Sequence, residues 1–175
     1  IVFLLFKIKG RDAMIAALAV GLCVLIADQV ASGFCKPFFE RLRPSHDPEL
    51  KDIIHIVNNY RSALYGFCSS HASNTFGIAT LTCLLFRNKW YAALIYSWAV
   101  LNCYSRMYLG VHFPLDIICG ALVGVAAGYI SSYLYKYVVN KFIYFNADKV
   151  VITNNQVLCV FVVYVLTFVF MLIRN

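Results

Sequence analysis

The stretch YSRMYLGVHFPLD, residues 104 to 116, sets Arg106, His112 and Asp116 among apolar neighbours. Two other stretches carry groups of the same kind: KPFFERLRP, with Lys36 ahead of Arg43 and Pro44, and CSSHASN, with Ser69, Ser70 and His71. Fixed cations offset the charge of phosphate oxygens, Arg through a planar fork of donors and Lys as a point charge. Backbone N–H groups at a helix start form a ready anion site, which suits Ser69–His71. Phosphoryl transfer to water through a covalent intermediate needs one nucleophile and one general acid, and two histidines are at hand. Pro114 marks a first helical turn, so His112 stands at a helix entrance and Asp116 within that turn. A carboxylate there could hold one ring nitrogen and leave the other free to attack phosphorus. With cations doing the electrostatic work, no metal or other cofactor is required.

Blander roles compete for each residue. A single histidine near an apolar segment is usually structural, and Asp116 could cap a helix N-terminus for about 0.3–1 kcal/mol, which leaves Arg106 without a role. Arg41 lies outside the spacing of Lys36 and Arg43 and reads as an interfacial cation gripping anionic headgroups. His46, Asp47, Glu49, Asp52 and His55 match no metal spacing and read as an exposed polar stretch, while DIIHIV within it suits the membrane surface.

The elements that must position these groups are greasy. The 175-residue chain is 62% hydrophobic and 13% charged, with a mean hydropathy of +0.74, against roughly 45–50% apolar residues in soluble domains. Spanning a bilayer takes about 20 mostly apolar helical residues. Ala13–Ser32, Ser73–Phe86 with its flanking turn, Trp90–Tyr104, Pro114–Tyr135 and Val157–Ile173 are expected to be such spans, and Ile1–Phe6 the end of another. The expectation is an all-α integral membrane helical bundle in one domain over 1–175, with part of an earlier helix absent from this sequence. Asp28 falls inside the first complete span, where acids are rare; it is expected near the outer end, hydrogen-bonded to a neighbouring helix. Trp90, Tyr91, Tyr104 and Tyr108 read as an interfacial aromatic belt.

Alternating helices put the loops at 7–12, 87–89 and 136–149 on one side, and those at 35–68 and 105–113 and the C-terminus on the other, together with every residue of the three stretches. Setting Lys36, Arg43 and Arg106 aside as functional, the first side holds eight Lys/Arg and the second four, which places the long loop outside. The formal charge of +7 suits anionic lipid or an anionic substrate. Nucleic acid is a poor fit, because the basic residues sit in short loops between apolar spans. Seven scattered cysteines read as small packing residues.

The three stretches resemble the signatures of the type 2 phosphatidic acid phosphatase superfamily of membrane lipid phosphatases. Lys36, Arg43 and Pro44 complete its first motif, and Ser105, Arg106, His112 and Asp116 its third. In the second, Ser69 and His71 match, while Cys68 stands in place of Pro and Ser70 in place of Gly. The resemblance implies a core of about six transmembrane helices. It implies that Lys36, Arg43 and Arg106 bind phosphate, helped by Ser69, Ser70 and the neighbouring amides. It also implies that His112 forms a phosphohistidine, Asp116 is its partner and His71 is the general acid. The expected substrate is a lipid phosphate or diphosphate, with polyprenyl diphosphate or phosphatidylglycerol phosphate favoured and phosphatidic acid as a third choice. The expected setting is a bacterial inner membrane, with the site facing the exterior and no obligatory protein partner. A phosphotransferase using the same intermediate, or a non-catalytic lipid-binding or transport protein, are the rival readings.

Overall fold

The computed structural model describes residues 11–54, 56–57, 60–142 and 153–174; at 11–12, 142 and 166–174 it describes the backbone alone. The expected helix end at Ile1–Phe6, and His55, lie outside the described residues. Among those residues the elements are helices, joined by one isolated antiparallel bridge between Leu42 and Tyr65.

Helix α1 (Arg11–Asp28) runs on through a wider π-helical segment, Gln29–Cys35, into the short α2 (Lys36–Phe39). Glu40, in the left-handed region with φ 45°, ends it. The first helix is thus longer than the expected span, and Lys36 belongs to it and not to the loop. Helix α3 (Ser70–Phe86) begins at the Ser69 cap, and α4 (Lys89–Tyr108) begins at Asn88, whose side chain accepts from the N–H groups of Trp90 and Tyr91. Ser105 and Arg106 therefore occupy the last turn of α4, where a connecting loop was expected. Helix α5 (Pro114–Phe142) outlasts its expected span by about two turns, and α6 covers Asn154–Arg174. Five long helices are described. Two helical stretches, Ala13–Phe39 and Pro114–Lys141, are long and apolar enough to cross a membrane, with mean hydropathies of 2.2 and 1.8.

Side-chain size is distributed inside out. Ala16, Ala19, Cys23, Ala27 and Ala31 line the buried face of the first helix, while Leu18, Leu22, Leu25 and Phe34 point outward. Helix α5 repeats the pattern, with Gly120, Gly124, Ala127 and Ser131 inward and Leu122, Ile130 and Tyr133 outward. Small residues let backbones approach closely, the packing mode of helices that gain nothing from hiding leucine from lipid. The glycines of α5 sit against the backbone of α3: a Cβ on Gly120 would lie 2.5 Å from the Ser69 carbonyl oxygen, and one on Gly124 would run into that of Ser73. Tyr91 departs from the expected aromatic belt. It is fully buried, edge-on to Phe86 at 5.2 Å, with its hydroxyl 3.0 Å from Thr82 Oγ1. Trp90, Tyr104 and Tyr108 are exposed, as a belt requires.

Candidate active site

The antiparallel alternation of helices brings the C-terminal end of α2, the start of α3, the end of α4 and the start of α5 to one end of the bundle. Hydrogen bonds between these ends lock the three sequence stretches together. The loop doubles back so that residues 41–43 pair with 64–66: Arg43 N–H donates to Leu64 O (3.1 Å) and Gly66 N–H to Arg41 O (2.9 Å). Gly66 is needed at this crossing, because a Cβ there would sit 3.0 Å from Arg43 Cγ and 3.3 Å from Asp116 Oδ2. Ser69 N–H donates to the Asp116 carbonyl at 3.0 Å, tying the second stretch to the third.

Asp116 is buried and stands at the third position of α5, behind Phe113 and Pro114. Its Oδ2 accepts from Phe113 N–H at 2.9 Å, the reciprocal bond of a capping box. The same oxygen faces His112 Nδ1 at 3.4 Å. Capping and chemistry are thus two uses of one carboxylate. On the other side of the ring, Arg43 Nη1 lies 2.8 Å from His112 Nε2 and 3.0 Å from Val111 O. A guanidinium only donates, so Nε2 must accept, and Nδ1 carries the proton toward Asp116. The tautomer with a free lone pair on Nε2 follows from its two neighbours. Arg43 is buried and its Nε has no hydrogen-bond partner among the described residues, a donor in want of an acceptor.

Lys36 approaches from α2. Its Nζ donates to Ser70 Oγ (3.2 Å) and to Ser32 Oγ (2.8 Å), and the Ser32 hydroxyl donates to Asp28 Oδ1 (3.1 Å). Asp28 therefore bonds within its own helix, not to a neighbouring one, in a ladder at four-residue spacing that ends on Lys36. Ser70 is helical and uses its hydroxyl in this contact, so the position filled by Gly in the family motif is met here without unusual backbone. Ser69 is buried and its Oγ accepts from Ala72 N–H at 3.4 Å. Arg106, half-buried at the end of α4, donates from Nε to Ser105 Oγ at 3.4 Å.

His71 lies in the first turn of α3. Burial lowers its pKa, and the positive charges of Arg106, Arg43 and Lys36, together with His112, lower it further. For His112 burial also dominates and lowers the pKa, opposed by the hydrogen bond to Asp116 and assisted by Arg43. Cys68, beside Ser69, is not a rival nucleophile: burial and then Cys35 push its thiol up to about 12, which keeps it protonated.

All eight residues expected at the site, Lys36, Arg43, Ser69, Ser70, His71, Arg106, His112 and Asp116, lie at this end. Arg41 joins them against expectation. Its Nη1 forms an ion pair with Asp116 Oδ1 at 3.2 Å, and its guanidinium stacks 4.5 Å from the Phe113 ring centroid. No spacing rule marks Arg41 or Gly66, which the path of the loop recruits; the Asp28–Ser32–Lys36 ladder follows the four-residue spacing of a helix face, a signal that shows only once the helix is known to run on to Lys36.

Among the described residues the elements are all helical, and a nest of cations surrounds an oriented histidine–carboxylate pair. The sequence model of the PAP2 superfamily matches residues 12–140, and the chain belongs to that superfamily. It is 45% identical over 135 residues to the lipid A 4'-phosphatase of Porphyromonas gingivalis, covering 77% of this chain and 57% of that protein. It is 39% identical to the lipid A 4'-phosphatase of Bacteroides thetaiotaomicron, covering 74% and 59%. The chain thus spans less than two thirds of the length of these curated relatives. The crystal structure of Aquifex aeolicus LpxE superposes with a TM-score of 0.54 at 29% identity, covering 74% of this chain and 72% of that one.

Proposed function

We propose that this chain is an integral membrane lipid phosphatase that removes phosphate from a lipid headgroup through a phosphohistidine. The observation that carries the reading is His112, buried between Asp116 and Arg43 with its Nε2 lone pair held toward the cations. In this scheme the phosphate displaces the Arg43 fork from Nε2 and takes it on its own oxygens, with Lys36 and Arg106 sharing the charge. The lone pair of Nε2 attacks phosphorus as the bond to the lipid oxygen breaks. His71 donates its proton to that leaving oxygen, then accepts one from the water that cleaves the phosphorus–nitrogen bond. Ser69, Ser70 and the amides at the start of α3 orient the phosphoryl oxygens.

The names of the relatives favour a phosphate monoester on a lipid A-type glycolipid over the polyprenyl diphosphate or phosphatidylglycerol phosphate that the motifs alone suggested. The apolar outer faces of α1 and α5 favour a substrate whose tails stay in the bilayer, with the cation nest at its exterior surface.

The test is phosphate release by the detergent-purified chain from lipid A, polyprenyl diphosphate, phosphatidylglycerol phosphate and phosphatidic acid, with chelator present, beside His112→Ala. The expected outcome is chelator-resistant release that falls by at least about a thousandfold in the variant, the loss of a nucleophile costing up to about a millionfold. Undiminished release in His112→Ala, or none from any lipid by the folded wild type, refutes the reading. Label passing to a second lipid in place of water would identify a transferase.

A further inference from the structure

The Asp116 carboxylate is engaged through both of its oxygens. Oδ2 takes Phe113 N–H at 2.9 Å and faces His112 Nδ1 at 3.4 Å, and Oδ1 takes Arg41 Nη1 at 3.2 Å. Arg41 is itself held: its guanidinium lies over the Phe113 ring, and its backbone carbonyl accepts from Gly66 N–H at 2.9 Å. It is the partly exposed member of the pair, at 37% against 0% for Asp116. A carboxylate turns about its last torsion, a broad and soft one. Oδ2 can serve His112 only while something fixes the rotation. The amide of Phe113 fixes one oxygen, and Arg41 is the group that fixes the other.

We propose that Arg41 is a positioning residue, acting on His112 through Asp116: it pins Oδ1, so that Oδ2 stays on the ring's Nδ1–H and Nε2 stays directed at the phosphate site. This rests on the proposed role of His112 as nucleophile. Arg41 also sets a positive charge against the pair. The other charged and titratable groups around it are Arg43 with Tyr60 beside it, Lys36 from α2, His71 from α3 and Arg106 from α4. Protonating His112 places a second proton on Nε2 and makes the ring a cation among these charges. Removing Arg41 takes one of them away, which favours the protonated ring, but it also frees Oδ1 and loosens the Oδ2 bond that favours the same form, so the two changes oppose each other at the midpoint. The tautomer of the neutral ring separates them: with Oδ1 freed, Oδ2 no longer holds the proton on Nδ1, and the form with the attacking lone pair on Nε2 loses population.

The test has a readout that needs no turnover. The His112 ring in the full chain, labelled with 15N-histidine in detergent and identified by its loss in His112→Ala, is read in its neutral form in wild type, Arg41→Ala and Arg41→Lys. Wild type is expected to show the Nδ1–H tautomer and Arg41→Ala a mixture with the Nε2–H tautomer. Arg41→Ala is expected to lower kcat by at least about tenfold with KM nearly unchanged, and Arg41→Lys to recover part of both. An unmixed Nδ1–H tautomer in a folded Arg41→Ala overturns the proposal, as does a rise in KM alone, which would make Arg41 a headgroup contact. If Arg41→Ala does not fold, Arg41→Met, which keeps the bulk but offers Asp116 no donor, is read in its place by the same criteria. A wild type that releases no phosphate would defeat the phosphatase reading, while the tautomer would still decide whether Arg41 governs the pair.

Discussion

Arg43 Nη1 lies 2.8 Å from His112 Nε2, so in the proposed mechanism the group that binds substrate charge also guards the lone pair until a phosphate takes the guanidinium. Two histidines with lowered pKa values then shape the pH response of the free enzyme. His112 must be unprotonated to attack, so activity rises with pH through its titration; His71 must be protonated to serve the leaving oxygen, so activity falls as pH rises through its own. Since burial lowers both, the bell of kcat/KM is expected to lie on the acid side of the ordinary histidine range, its two limbs belonging to the coupled pair. After burial, Arg106 is the largest cause of the lowered His71 value. Arg106→Gln should therefore move the basic limb to higher pH while lowering kcat/KM at its maximum by about tenfold or more, the loss expected of a charge-assisted phosphate contact. A pH–rate profile of the variant with an unmoved basic limb would argue against His71 as the acid.

At the scale of elements, the site depends on how closely α5 can lie against α3. The Ser69 cap and the Asp116 turn meet through a single backbone bond of 3.0 Å, and that distance is available only because Gly120 and Gly124 present no side chain to the carbonyls of Ser69 and Ser73. Gly124→Leu should push the helices apart. Overpacking of this kind typically costs about 1–3 kcal/mol, and it should appear as a lower thermal midpoint in detergent. The loss of activity should exceed the loss of folded protein, since the displacement falls between the second and third motifs. Retained activity at an unchanged midpoint would show that the contact is looser than the structure has it. The first helix contributes in a different way: its continuation past Ser32 carries Lys36 to the site, with the Ser32 hydroxyl accepting from the ammonium and donating to Asp28 one turn earlier.

For the whole molecule, large apolar side chains on the outside and alanine, glycine, serine and cysteine within are the pattern expected of a bundle solvated by lipid. The chain should accordingly stay with the membrane fraction through alkaline carbonate extraction and leave it only in detergent. Release by carbonate alone would contradict the integral membrane reading. With α2, α3, α4 and α5 delivering their charged ends to one face, the proposed phosphate site adjoins the apolar outer faces of the helices, and under that proposal a headgroup reaches the cations without its tails crossing water.

What residue types and spacing determined alone was the family and the candidate site: Lys36 with Arg43, Ser69 with His71, and Arg106 with His112 and Asp116 are separated along the chain by distances that the motifs specify, and apolar runs sufficient for helices lie between them. Pro114 before Asp116 likewise announced the helix start, because proline at the first position is a local preference. Helix limits were less legible, since Lys36 and Arg106 read as loop residues by charge yet continue helices whose backbone bonds outweigh their polarity. Tyr91 and Arg41 were misread for a related reason: an exposed belt and a buried hydroxyl, or a headgroup cation and a carboxylate clamp, share one residue type. Only the tertiary structure decided between them, because the deciding partners, Thr82 for Tyr91 and Asp116 for Arg41, are brought near by helix packing and by the path of the long loop, which no local pattern encodes.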